Sequence, residues 1–213
     1  GVGFKPDFTW IKNRVKADSN HFLTDIVRGA TKYLLADADS SETTNINTLT
    51  SFDSDGFSLG DLDNVNKNGD ALVSWNWLAG GNQGSSNTDG SINTTYTSVN
   101  TTSGFSIVKY QGTGANATVG HGLGAVPKMI LFKSLTNAIS WIVYSSELNI
   151  SSSNCLRLNG TNAAFTESAW NGTRPTTSVF SLGTHNEANN NSGETIAYCF
   201  AEKQGYSKFG SYT

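Results

Sequence analysis

Charge is scarce in this chain. Only 15% of its 213 residues are Asp, Glu, Lys or Arg, and the formal net charge is −3. What charge there is divides unevenly: residues 1–81 hold 7 basic against 11 acidic side chains, residues 82–213 hold 7 against 6. No basic stripe is present, which argues against nucleic-acid binding by phosphate neutralisation. No apolar run approaches 18 residues, so no membrane-spanning helix is expected. No signal-peptide pattern is present either, and the chain opens on Gly1 rather than Met, so a window from a longer protein is expected. Two cysteines, Cys155 and Cys199, cannot make a disulfide framework. They are expected as buried free thiols, packing as small apolar residues. No 12-residue stretch shows a convincing helical period.

What fills the polar surface instead is uncharged. The chain has 23 Asn and many Ser and Thr, a composition that favours turns and strands. Short strand-like runs separated by turn residues are read near 8–13, 20–27, 31–35, 56–60, 70–78, 91–99, 104–111, 127–134, 139–145, 154–158, 178–183 and 194–201. In 70–78, Ala71, Val73, Trp75 and Trp77 alternate with Leu72, Ser74, Asn76 and Leu78, the pattern of a half-buried strand. Many short strands with regular turn signals predict an all-β sandwich or barrel.

The chain also repeats itself. GVGFKPDFTWIK at 1–12 matches GLGAVPKMILFK at 122–133 without a gap, and HFLTD at 21–25 parallels WIVYS at 141–145. DGFSLG at 55–60 parallels SVFSLG at 178–183, and NKNGDALVSWNW at 66–77 parallels NNSGETIAYCF at 190–200 with one residue fewer. SGFSIVKYQG at 103–112 is echoed once more by QGYSKFGSYT at 204–213. The expectation is two tandem antiparallel β-sandwich domains, jelly-roll or lectin-like. Residues 1–81 form the first, 82–103 an Asn/Ser/Thr-rich connector that is partly strand, 104–204 the second, and 205–213 the start of a third repeat. Each copy is expected to have its own core, with Phe8, Trp75 and Trp77 in the first and Phe132, Trp141 and Tyr198 in the second.

The repeat also bears on a stretch that looks like half a calcium loop. Asn64, Asn66, Asn68 and Gly69 alternate beside Asp61, Asp63 and Asp70. The second copy keeps Asn and Gly without an acidic cluster, and Trp75 stands where an EF-hand needs its closing Glu. Asn-Gly between strand-like runs is read as a hairpin turn, with calcium near Asp53–Asp63 as the minority alternative. No metal site and no cofactor is expected.

Chemistry is thin elsewhere. The glycine-rich 112–124 lacks the Lys-Ser/Thr of a P-loop and reads as a hairpin. No His/Cys/carboxylate spacing suggests zinc, and no nucleophile elbow is expected. Nothing in the sequence pairs any two of Glu147, Glu167, Glu187, Glu194 and Glu202 as a glycosidase requires. The best ligand candidate is AWNGTRP at 169–175. There Trp170 could stack on a sugar while Asn171 and Arg174 bond its hydroxyls; the competing reading has Trp170 plugging the sandwich.

Several blocks together resemble a known family: GFKPDFTWIKNR, DIVRGATKYL, the run from NTDGSINTTYTSVN to PKMILFK, and NNNSGETIAYCFAEKQGYSKFGSYT. They are similar to repeat domains of tailed-phage virion proteins, common in marine phages of cyanobacteria and pelagic bacteria. The resemblance implies a non-enzymatic structural protein at the virion surface, a tail-fibre or surface-fibre segment acting as spacer and host-attachment, glycan-contacting surface. Implied partners are other copies of itself, as a homotrimer, other virion proteins and host glycan, with no nucleic acid and no membrane insertion. The alternative is a glycan depolymerase or carbohydrate-binding adhesin module. That family often has Cys in both copies where this chain has Asn76 and Cys199, which weakens any role for a reactive thiol.

Overall fold

The protein is described by a computed structural model covering residues 1–149 and 154–211. It is all-β, built from several antiparallel sheets, with two single-turn helices. In the first copy, β1 (Phe8–Asn13), β2 (Phe22–Asp25), β3 (Lys32–Leu35), β4 (Thr43–Thr44) and β7 (Leu72–Trp77) form one sheet in the order β4-β3-β2-β1-β7. In the second, β11 (Pro127–Ser134), β12 (Ile142–Ser145), β13 (Asn154–Arg157), β14 (Phe165–Thr166) and β16 (Glu194–Ala201) repeat that order as β14-β13-β12-β11-β16. This sheet continues past β16 with β9 (Phe105–Gln111) and β8 (Tyr96–Asn100). The first sheet stops at β7.

Cross-strand pairing fixes the correspondence between copies. Phe8 opposes Trp77 and Trp10 opposes Trp75, while Met129 opposes Phe200 and Leu131 opposes Tyr198. Trp75 therefore matches Tyr198, and Asn76 matches Cys199, as the sequence alignment has it.

The remaining strands lie on the outer faces. β5 (Leu49–Asp53) and β6 (Gly56–Leu59) pair as a hairpin. Phe57 and Leu59 of that hairpin join Ile11, Phe22 and Val65 in a small apolar cluster on one face of the first sheet. In the second copy, β15 (Val179–Leu182) pairs instead with β10 (Ala117–Gly120). Together they cover a larger cluster that includes Ile130, Phe132, Trp170, Phe180 and Cys199.

Alternation then sends the other face of each sheet toward its counterpart. Phe8 and Leu23 from the first copy pack with Phe105, Leu131, Trp141 and Tyr198 from the second in one buried cluster. Phe8 stacks on Tyr198 at 4.4 Å between ring centroids and on Phe105 at 5.8 Å. The expectation of a self-contained core per copy is corrected here: each copy has an outer cluster of its own, but the middle layer belongs to both. The physical reason is that both sheets have two apolar faces, and one outer strand pair, the β5–β6 hairpin or β10 with β15, covers only one of them. Trp75 is a second correction, since it is 46% exposed rather than buried.

Polar links cross the same layer. Trp141 Nε1 donates to the Leu35 carbonyl at 2.8 Å, and Glu42 N donates to the Leu135 carbonyl at 3.1 Å. The Tyr198 hydroxyl donates to Asp25 Oδ2 at 2.7 Å, where the buried Arg28 Nε also donates. Burial opposes the Arg28 charge, but Asp25, with Tyr198 and Glu42 behind it, outweighs burial and raises its pKa.

The stretch 82–103 is ordered throughout. Ile92 bridges to Val119 and enters the second copy's core, while β8 pairs along β9 from Tyr96 to Asn100.

Candidate functional site

The sequence-derived ligand loop comes first. Trp170 is 2% exposed, tilted 36° against Phe132 at 5.2 Å and edge-on to Tyr144 at 5.8 Å, and its Nε1 donates to the Asn154 carbonyl. Its ring faces are spent on packing, so the expectation that Trp170 stacks on a sugar is corrected to the plug reading. Asn171 is exposed and holds a positive φ of 49°. Arg174 is exposed, and its guanidinium donates to the Ser146 carbonyl at 2.7 Å and the Leu148 carbonyl at 3.3 Å.

The Asn-x-Gly segments also resolve. Asp63–Asn66 forms the helical turn α1 and Asn186–Asn189 forms α2, each followed by a tight turn into β7 or β16. The expected hairpin is corrected, because β6 and β15 lie in the outer layers and do not pair with the strands that follow. The Asn has a structural task in both copies. Asn66 Nδ2 donates to the Gly60 carbonyl at 2.8 Å, and Asn189 Nδ2 donates to the Gly183 carbonyl at 2.7 Å. Both glycines sit against another backbone: an added Cβ would meet the Asn47 backbone at 2.5 Å or the Ser168 carbonyl oxygen at 1.8 Å. Asp53, at the rim of the minority calcium reading, instead accepts from the hydroxyls of Ser51 and Ser58, which lower its pKa.

The expectation that no Gly-x-Ser-x-Gly elbow occurs is corrected at the level of the motif, though not of the elbow. Gly56–Gly60 reads Gly-x-Ser-x-Gly. Ser58, however, lies on strand β6 and donates to Asp53 at 2.7 Å, so it is neither on a strand-to-helix turn nor bonded to histidine. The thiols are equally unsuited to attack: burial pushes both Cys155 and Cys199 up to about 12. Lys133 is a buried ammonium in the layer between the copies, donating to the Asp39 and Ser134 carbonyls, and burial pushes it down to about 8.

Two carboxylates do approach a histidine. His185 Nε2 lies 3.7 Å from Glu167 Oε2, and His185 Nδ1 lies 3.9 Å from Glu187 Oε2. Glu187 is held by Arg157, whose Nη2 and Nε reach Oε1 at 2.9 and 3.2 Å, and the Arg157 guanidinium rests 4.6 Å over the Phe165 ring. Among the described residues, no group of three His, Cys, Asp or Glu is placed to hold a metal ion.

An apolar cavity lies where the two sheets meet. It measures about 200 Å³ and is lined by Trp10, Trp77, Phe105, Met129, Phe200, Tyr206 and Phe209 among others. Trp10 is oriented by its Nε1 bond to His21 Nδ1 at 2.8 Å and stands edge-on to Trp75 at 6.4 Å. Beside this cleft runs the outer side of β7. The carbonyls of Ala71 and Trp77 accept from Arg14 and Asp7 on the β1 side. Antiparallel alternation therefore turns the peptide groups of Leu72, Ser74 and Asn76 to the other side. On β16 that side is taken by β9 along seven residue pairs. On β7 no strand of the described residues lies there.

An unpaired strand edge beside exposed aromatic surface is a binding feature that sequence pattern alone signals only indirectly.

No curated protein and no solved structure matches the chain. One family does, over residues 1–213: the chain belongs to the family described as a domain of unknown function, DUF7483.

Proposed function

We propose that this chain is a non-enzymatic structural repeat of a virion surface or tail-fibre protein, a spacer that also contacts host glycan. One observation carries the reading: a duplicated sheet whose copies dock face to face, each covered on its outer face by one pair of strands. A unit that recurs and packs on its neighbour supports the reading as a repeat module. The motif resemblance to phage repeat domains supplies the setting. Glycan contact falls to the exposed polar loop around Asn171 and Arg174, through amide and guanidinium donors, since Trp170 is packed. Immunogold labelling of phage particles with antibody to this chain tests the setting; label confined to cell interiors would overturn it.

The depolymerase alternative has the Glu167–His185–Glu187 group in its favour. Incubating the chain with host polysaccharide decides between the two readings. Retention on the polysaccharide without new reducing ends is expected, and sustained release of reducing ends lost in Glu167→Gln would favour the enzyme.

A further inference from the structure

One histidine ties the turn 120–124 to the loop 170–178. His121 lies between Gly120 and Gly122, directly after β10, and is fully buried. Its backbone N donates to the Ser178 carbonyl at 3.1 Å, continuing the pairing of β10 with β15. Its ring is bonded at both nitrogens. Nδ1 accepts from Leu123 N at 3.2 Å, and Nε2 lies 3.2 Å from the Thr176 carbonyl. A ring nitrogen that accepts from an amide carries no proton, so these two bonds define a neutral imidazole whose Nε2–H donates to Thr176. We propose that His121 is a pH-operated latch on the 170–178 loop: on taking a proton below neutral pH the ring leaves its site and frees the loop. That loop carries Asn171 and Arg174, so the latch also governs the proposed glycan contact, and it rests on that reading for this consequence alone.

A second proton has no place in the closed site. Nδ1–H would face the Leu123 N–H, donor against donor, and the imidazolium would be buried. Burial lowers the His121 pKa and outweighs the two groups that favour the charge, the Thr176 carbonyl and Asp89. Asp89, on the 87–92 segment, is the charged side chain acting on the ring. The turn 120–124 and residues 176–179 contribute no other ionisable side chain. The Arg174 guanidinium is committed to the Ser146 and Leu148 carbonyls. Once in water, the ring takes its proton at the ordinary value of about 6.5. The sign follows: the latch holds at full strength above about pH 6.5 and is lost as pH falls through the lowered value of the closed form. Within that window opening gains about tenfold for each pH unit. What remains in the loop is largely local, since Thr173 N donates to the Trp170 carbonyl and Thr176 N to the Val179 carbonyl, both short turns.

Hydrogen exchange of the full chain tests this, read by mass spectrometry on peptides spanning 170–178 and corrected for the intrinsic effect of pH on exchange. Between about pH 7 and pH 4, protection of the loop should fall about tenfold per unit below 6.5 until the closed-form value is reached. Peptides from β11 and β16 should not follow it. In His121→Asn the side-chain oxygen accepts from Leu123 N at any pH, so the fall should disappear. Asp89 is exposed, and Asp89→Asn removes a charge that favours protonation in the closed form, so the fall should extend to lower pH. Loop protection that ignores pH in the wild type, or an identical fall in His121→Asn, overturns the proposal. Should His121→Asn fail to fold, a wild-type profile left unmoved by Asp89→Asn overturns it instead. Exchange is read without glycan, so a chain that never binds polysaccharide sinks the glycan reading and leaves the latch to be judged on its own result.

Discussion

Lys133 is the residue whose surroundings conflict most with its chemistry. It occupies an inward position on β11, matched by Lys12 on β1, whose ammonium reaches the Ser19 carbonyl. Folding holds its pKa near 8, below the roughly 10.4 of an unfolded lysine. Folding therefore disfavours the protonated form. That penalty is full below about pH 8 and fades as pH rises toward 10.4. Relative to Lys133→Met, the native chain should gain on the order of 2 kcal/mol between pH 7 and pH 10, read from chemical denaturation at each pH. A constant difference across that range would show that the ammonium is solvated. Nothing in KMILFKS announces this, because a lysine after an apolar run reads as the end of a strand. Its burial comes from the 36–42 loop of the other copy, whose Asp39 carbonyl covers it.

At the scale of elements, the strands legible in sequence were those with strong alternation or a continuous apolar run. β1, β11 and β16 have the bounds their patterns gave. Those missed were β4, β5, β10 and β14. β4 and β14 are only two residues long, and β10 sits inside a glycine-rich stretch.

 β10 and its partner β15 are 59 residues apart at their nearer paired ends, Gly120 with Val179, and 65 at the others, Ala117 with Leu182. Local pattern carries no sign of a partner that distant. The helical turns were misread for a related reason: Asn-Gly signals a reversal, and only the strand order shows that the reversal leads into a different layer. Asn189 is the pin of the second reversal. It donates to Ala115 and Gly183 and accepts from Thr113 N, all while fully buried. Asn189→Ala should cost about 2–3 kcal/mol in thermal or chemical unfolding, since it strands buried backbone groups. Asn66→Ala, which loses one exposed bond, should cost under about 1 kcal/mol.

For the whole molecule, the duplication was legible and the way its halves meet was not. Matching blocks show that a unit recurs, but both faces of β1 and β11 are apolar, and sequence does not say which face meets which partner. Phe8 and Trp75 separate the two possibilities. Phe8 is fully buried against rings of the second copy, so Phe8→Ala should cost about 3–5 kcal/mol and lower the unfolding of the entire chain in one transition. Trp75→Ala should cost far less and leave that transition single, because nearly half of the ring is already in water. Calorimetry of the two variants reads both outcomes; two separate transitions in Phe8→Ala would mean that the middle layer is not shared.

The bond between Tyr198 and Asp25 joins residues 173 apart in sequence. A chain made from its N-terminus has β1, β2 and β3 available long before β16 exists. Until then Asp25 and Arg28 lack their distant partner, and the inner faces of Phe8 and Leu23 have nothing to cover them. Contacts of such long range are slow to form, and exposed strands invite wrong partners while they wait. The seam that joins the two copies thus sets a timetable: the first copy is finished only when the second one arrives.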